Sequence, residues 1–265
     1  MITFVSTNIN ELFVNLNISR LEPIDCPGEI ICFQGYISEF PNTKICFLIT
    51  GSNESRSLVA LDWLTKNIKS NYLINIGLSD STSENATHGH IMISTSIGNL
   101  FGYPINWNLN DIKFTNNFDT KLFNISRKSC YLGNMDFHIG KSLSVSNNFR
   151  TDRLRRWINT RKDILSIDNT AFFTGKYAEK HNIPFISISS ILNYIDETDS
   201  NLMKDLDYSP TENLIKTMKF FPNFFSKYDF NNRLRMSRSN LMKFFQIFGK
   251  EISSITNDSK DGTYE

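Results

Sequence analysis

The sequence predicts an α/β fold with a helical C-terminal part. Three observations predict it: short apolar runs bounded by polar loops, an amphipathic stretch of helical period between two of them, and a change to helical character after Asp196. Ile45–Ile49, Tyr72–Ile76, His90–Ser94 and Phe185–Ser189 read as strands, short and apolar enough for a buried sheet. Between the first two, Glu54–Ser70 sets Leu58, Leu61, Leu64 and Ile68 on one helical face, with Val59 and Trp63 flanking it. A strand, a crossover helix and a second strand favour parallel pairing, because the crossover returns the chain to run in the same direction.

Ala171–His181 reads as another helix, broken by Asn182-Ile183-Pro184 before the strand from Phe185. Farther on, Ser209-Pro210-Thr211-Glu212 places a serine at the N-cap, a proline at the first helical position and a glutamate at the third, a helix start signal. Leu241, Met242, Phe244, Phe245, Phe248 and Ile252 form an amphipathic segment, and the residues from Asn257 read as a frayed tail. The organisation expected is an α/β domain over residues 1–196, a helical segment over 197–256 packed on it, and a tail over 257–265.

At 265 residues and 40% hydrophobic content the chain can bury a sizeable core. Its 28 basic and 27 acidic residues leave a net charge of +1, which argues against nucleic acid or an anionic membrane as a partner. Cys26, Cys32, Cys46 and Cys130 lack paired C-x-x-C spacing, so reduced thiols are expected. Met1–Glu11 lacks the pattern of a secretory leader and no apolar run approaches bilayer length, from which a cytoplasmic location is expected. His88-Gly89-His90 has no evident third ligand nearby, and neither a metal nor a cofactor is expected. Arg150–Lys162 is rich in arginine but diluted by Asp152, and reads as a solvated helix face. The Phe- and Lys/Arg-rich stretch from Lys216 to Phe248 reads as helices covering the sheet, with a lid, a subunit contact or a peripheral membrane contact as alternatives.

Thr50-Gly51-Ser52-Asn53-Glu54 follows a strand and opens a helix, where small residues let backbone N–H groups approach a ligand. A second strand runs into Asn75-Ile76-Gly77-Leu78-Ser79, a third opens after Gly89-His90, and the Ala171 helix leads to Ile183-Pro184-Phe185 and Ile191-Leu192-Asn193. This order resembles the nucleoside phosphorylase and nucleosidase family, with its "SGIGK"-like turn, "NxG(T/S)AG" strand end, "GD" strand start and late "DME" and "RxxSD" motifs, over roughly residues 1–195. The resemblance implies a mixed central sheet flanked by helices, a homo-oligomer, and a small-molecule substrate whose N-glycosidic bond is cleaved.

Position by position, the resemblance makes Glu11 the carboxylate that holds the attacking water; the plain alternative is a solvated glutamate. Asn193 falls where the nucleosidases place a general-acid aspartate, although trimeric purine nucleoside phosphorylases carry asparagine in a similar context. An amide donates a hydrogen bond but delivers no proton. Asn169 and Thr170 fall in the "DME" position, with Thr170 in place of the glutamate that grips the ribose hydroxyls, and Ser189 stands where the family has its arginine. Phe149, in Ser146-Asn147-Asn148-Phe149, resembles the ring that stacks on the base, with ordinary core packing as the alternative in a chain of 22 phenylalanines, and Tyr103 belongs to an "FGY" stretch near the family's site. The turn at Gly51 and the strand end at Gly77 and Leu78 complete the candidate site.

Two functional expectations follow. The first is a divergent nucleosidase in which Glu11 orients water and Asn193 bonds the leaving group; hydrolysis is favoured over phosphorolysis because no arginine is evident in the early Gly-rich turn. The second is a descendant of the fold that binds or transforms a non-nucleoside metabolite, suggested by the changes at Thr170, Ser189 and Asn193. An interaction module acting through the C-terminal helices is a third class.

Overall fold

The computed structural model describes residues 1–8, 21–28, 30–100, 112–115, 118–145, 152–161, 163–195 and 224–261. Strands β1 (Ile2–Ser6) and β4 (Ile45–Ile49) are buried along their whole length and pair in parallel, Ile2 opposite Ile45. Continuous apolar runs are what strands covered on both faces require. Strands β2 (Leu21–Ile24) and β3 (Ile31–Gly35) extend that edge antiparallel. Helix α1 (Glu54–Asn67) follows β4; the side chain of Asn53 accepts from the Arg56 N–H at its start, a short polar cap on an orphan donor. The parallel crossover expected from sequence is then completed by β5 (Tyr72–Ser81), which pairs with β1.

Strand β5 is twice as long as the sequence reading of Tyr72–Ile76, and its length organises the rest of the sheet. Its first half lies beside β1, most of its length pairs in parallel with β10 (Phe185–Asn193), and its end pairs antiparallel with β9 (Ile164–Asp168). Strands β6 (Ile91–Asn99) and β8 (Phe137–Ser144) complete a circuit, because β10 pairs with β6, β6 with β8, and β8 with β9. A short β7 (Phe114–Thr115) pairs with β6. The sheet is therefore mixed, closed on itself between β5 and β10, and open from β1 to β2.

Helices α2 (Thr120–Leu132), α3 (Asp152–Asn159), α4 (Ala171–Lys180) and α5 (Phe224–Asp261) flank the sheet. On one face, α2 and α5 enclose a core in which the Phe245 ring sits 5.0 Å from Phe4 and 4.9 Å from Phe40. On the other, α1 and α4 pack over Val5, Leu48 and Leu73. Gly249 marks how tightly α5 is seated: a β-carbon there would come 2.3 Å from the Glu39 carbonyl oxygen.

Several expectations are corrected. The buried stripe of α1 is Ser57, Ala60, Leu61 and Leu64, whereas Leu58 is 48% exposed, because the helix axis is rotated so that Leu58 and Val59 point outward. Arg155 in α3 is not on a solvated face; it is buried and its guanidinium donates to the Tyr194 carbonyl oxygen. The C-terminal helix continues through Asp261 rather than fraying at Asn257. The helix start expected at Ser209-Pro210-Thr211-Glu212 lies outside the described residues. All four cysteines are free thiols, with Cys32 and Cys46 buried against each other at 3.4 Å between sulfurs. Among the described residues no helix is long and apolar enough to cross a membrane.

Candidate functional site

The C-terminal ends of β1, β5, β9 and β10 converge, as the parallel pairing of β5 with β1 and β10 requires. Side chains that leave these ends meet in a recess of about 20 Å³, room for about one ordered water. Asn75, Ser187 and Ser189 contribute to its floor from β5 and β10, and Asp168, Asn169 and Thr170 close it between β9 and α4. The lining carries hydroxyls, amides and one carboxylate.

Each polar group there has a specific state. The Asn75 amide nitrogen donates to the Ser187 hydroxyl at 3.1 Å, which fixes the amide across β5 and β10. Ser189 and Ser79 share a hydrogen bond at 2.7 Å. Asp168 is buried, and one of its oxygens accepts from the Ser144 hydroxyl at 2.7 Å and from the Ala171 N–H at 2.9 Å, so it caps α4 while facing the recess. The Thr170 hydroxyl is different. It is 1% exposed, lines the recess, and has no hydrogen-bond partner. A buried hydroxyl left unmatched costs roughly 1–3 kcal/mol, which a ligand or water in the recess would relieve.

Asn193, the residue expected to meet the leaving group, does not line this recess. Its amide nitrogen donates to Asp80 at 2.8 Å, and its oxygen accepts from the Arg233 guanidinium at 2.9 Å. The three side chains are almost completely buried, and Arg233 also lies 3.2 Å from Asp229 one helical turn back in α5. Beside them Leu78 and Leu192 pack against Phe230 and Leu234 of the same helix. This polar node and its apolar partner fasten α5 over the ends of β5 and β10.

Of the residues expected from sequence, Gly77, Leu78, Asn169, Thr170 and Ser189 line the recess. Gly51, with φ of +75°, adopts the left-handed turn that glycine allows, and the Arg56 side chain lies against it. That arginine is the cation the sequence reading missed in the early turn. Beside it, Pro27, Ile30 and Val59 border an apolar hollow of about 250 Å³. Glu11, Tyr103 and Phe149 lie outside the described residues. Asp168, Asn75, Asp80 and Arg233 were not singled out from sequence. Arg233 carried a usable signal, because it interrupts the buried stripe of α5 between Phe230 and Leu241.

His90 and His138 form a second polar cluster, with Nδ1 and Nε2 2.9 Å apart. The ring centroids are 5.2 Å apart with the rings 20° from parallel, and the two nitrogens are within hydrogen-bond distance. Burial, and then the proximity of His90, hold His138 below the usual histidine range, with Asp136 opposing them. Among the described residues, no three His, Cys, Asp or Glu side chains converge as metal ligands.

No protein-family profile matches the chain, and no curated protein matches it. Solved structures do. A 5′-methylthioadenosine/S-adenosylhomocysteine nucleosidase from Neisseria meningitidis superposes with a TM-score of 0.70 over 96% of this chain and 98% of its own, at 12% identity. A futalosine hydrolase of Helicobacter pylori gives 0.66 over 97% and 98%, at 12% identity. An S-adenosylhomocysteine nucleosidase from Streptococcus pyogenes gives 0.65 over 92% and 95%, at 14% identity. The chain therefore has the nucleoside phosphorylase and nucleosidase fold along nearly its whole length.

Proposed function

We propose, with that fold as the premise, that the protein is a divergent nucleosidase that cleaves the N-glycosidic bond of a nucleoside-related small molecule by attack of water. The observation that carries this reading is the unmatched Thr170 hydroxyl, buried in a polar recess at the strand ends beside the Asp168 carboxylate. A sugar hydroxyl is the natural complement of such a wall: it accepts from Thr170 and donates to a carboxylate or a serine oxygen. Asp168 then offsets the positive charge that builds on the sugar as the bond breaks. Glu11 holds the water in this reading, with Gly77, Leu78, Asn169 and Ser189 framing the sugar and Phe149 and Tyr103 against the base. The active species in this reading is a homo-oligomer.

Incubation with methylthioadenosine, adenosylhomocysteine, futalosine, adenosine and inosine, with and without phosphate, tests the reading by chromatography of the released base. Release without phosphate is the expected result. No release from any nucleoside would refute it. The phosphate arm matters because Arg56 lies against the Gly51 turn, and a strict phosphate requirement would reassign the chemistry to phosphorolysis.

A second reading is favoured by one observation, the engagement of Asn193 by Asp80 and Arg233. In that reading the recess serves a non-nucleoside metabolite and needs no leaving-group donor. Glu11→Ala separates the two: it abolishes a water-dependent hydrolysis and leaves mere binding nearly unchanged.

A further inference from the structure

Asp168 ends β9, and its carboxylate acts on a ligand in the recess only if it keeps one direction. The last side-chain torsion of an aspartate is broad, and a misplacement of about 1 Å at a reacting centre costs roughly 100-fold in rate. The group behind the carboxylate is Ser144 of β8. The two residues are registered directly opposite each other in the parallel pair of β8 with β9, so their side chains leave the same face of the sheet from backbones about 4.8 Å apart. A short hydroxyl spans that gap. Ser144 is fully buried and does not line the recess, so whatever it contributes there passes through another residue.

The Ser144 hydroxyl makes two bonds of opposite sense. It donates to Asp168 Oδ1 at 2.7 Å and accepts from the Phe172 N–H at 2.9 Å. The Ala171 N–H donates to the same Oδ1 at 2.9 Å. Two successive N–H groups in the first turn of α4 are thus aimed at one carboxylate oxygen, Ala171 directly and Phe172 through the serine. The bond from Phe172 takes up a lone pair of the hydroxyl and leaves its proton to point at Asp168. Both routes carry the positive end of the helix toward a negative charge, and in a buried chain each hydrogen bond polarises the next. Alanine at this place would make neither bond, and a cysteine thiol would donate only weakly.

We infer that Ser144 is a positioning residue, which relays the first turn of α4 to Asp168 and holds the carboxylate at the angle at which it faces the recess. For its effect on rate the inference rests on the nucleosidase reading, in which Asp168 offsets positive charge on the sugar. A charge held in place before the bond breaks needs no reorganisation when the positive charge develops, and that is the gain a fixed carboxylate offers over a swinging one.

The test uses the full chain and the nucleoside that the wild type cleaves fastest among methylthioadenosine, adenosylhomocysteine, futalosine, adenosine and inosine. Ser144→Ala removes a single oxygen. It should lower kcat about 10–100-fold and leave KM within about 3-fold, because the lost interaction acts on charge that develops in the transition state. In an Asp168→Asn background, which keeps the capping oxygen and removes the charge, the same substitution should change kcat by less than about 3-fold. A serine that merely supports the fold would cost the same factor in both backgrounds. That result, or an unchanged kcat for Ser144→Ala alone, would overturn the inference and leave the nucleosidase reading standing. Amide hydrogen exchange supplies a readout that needs no activity. In Ser144→Ala the Phe172 N–H should exchange at least about 10-fold faster, the worth of one hydrogen bond, while Thr174 and Gly175 farther along α4 keep their rates. If the wild type releases no base from any nucleoside, the nucleosidase reading falls and exchange decides the rest: faster exchange at Phe172 upholds the relay through Ser144, and unchanged exchange overturns it.

Discussion

The recess and the polar node beside it are made of similar materials, yet the Thr170 hydroxyl of the one and the Asn193 amide of the other are in opposite states. Both draw on the C-terminal halves of β5 and β10, and both are buried. In the recess a threonine hydroxyl has no partner. In the node the amide of Asn193 is bound at both ends, by an acid from β5 and a guanidinium from α5. Buried polar groups left unmatched detract from stability and mark places where a ligand completes the structure; fully matched ones rigidify it. The proposed function rests on that difference: it takes the recess as the ligand site and the node as the fastening of α5, although the family resemblance points to Asn193 as part of the chemistry.

The largest expected effect lies in the node. Asn193→Leu keeps the volume but removes the hydrogen bonds that the amide makes to Asp80 and Arg233, two charged groups that are 2% and 6% exposed, and should destabilise the protein by about 3–5 kcal/mol in urea denaturation. Arg233→Met removes one of the two hydrogen bonds to the amide and an ion pair with the exposed Asp229, and should cost less, about 1–3 kcal/mol. A loss below about 1 kcal/mol for Asn193→Leu would remove the node's claim to fasten α5.

The recess predicts the reverse pattern. Thr170→Val replaces the unmatched hydroxyl by a methyl of nearly the same shape, so the unfolding free energy from urea denaturation should stay unchanged or rise by up to about 1 kcal/mol. Affinity for a hydroxyl-bearing ligand should fall by about 5–10-fold, the worth of one hydrogen bond, measured by calorimetry with the cleaved nucleoside or its product. A variant that loses stability without losing affinity would show that the hydroxyl serves the fold.

Much of this scaffold was legible from local pattern. An unbroken apolar run gave β4, the helical period gave α1, and Asn182-Ile183-Pro184 gave the break before β10. Strand β8 escaped because Gly140 and Lys141 interrupt it and half of it is only partly buried, which weakens the alternation. The face of α1 was misplaced at Leu58, since adjacent apolar residues allow more than one buried stripe and only packing chooses between them. Gly77, Leu78, Asn169, Thr170 and Ser189, singled out through motif order, line one recess, because local strand ends preserve that order. The node was not, because Asn193 meets Asp80 across 113 positions and Arg233 across 40, and pairing at that distance leaves no periodic trace.

The smallest expected effect comes from the histidine pair, which tests whether the contrast between matched and unmatched groups extends beyond the strand ends. His138 has its folded pKa depressed by burial and by His90, from a reference value of 6.5. A depressed base contributes stability that is present above its unfolded pKa and lost as pH falls through the folded one. Stability should therefore be flat above about pH 7 and decline below about pH 6.5, with a slope well under the one-proton limit of about 1.4 kcal/mol per pH unit because the ring is only half buried. Urea midpoints measured between pH 8 and pH 5 report it directly. His138→Gln keeps a hydrogen-bonding group toward His90 but cannot take up a proton, so it should flatten the acid side while leaving the midpoint at pH 8 nearly unchanged. If the decline persists in that variant, the group that titrates is not His138.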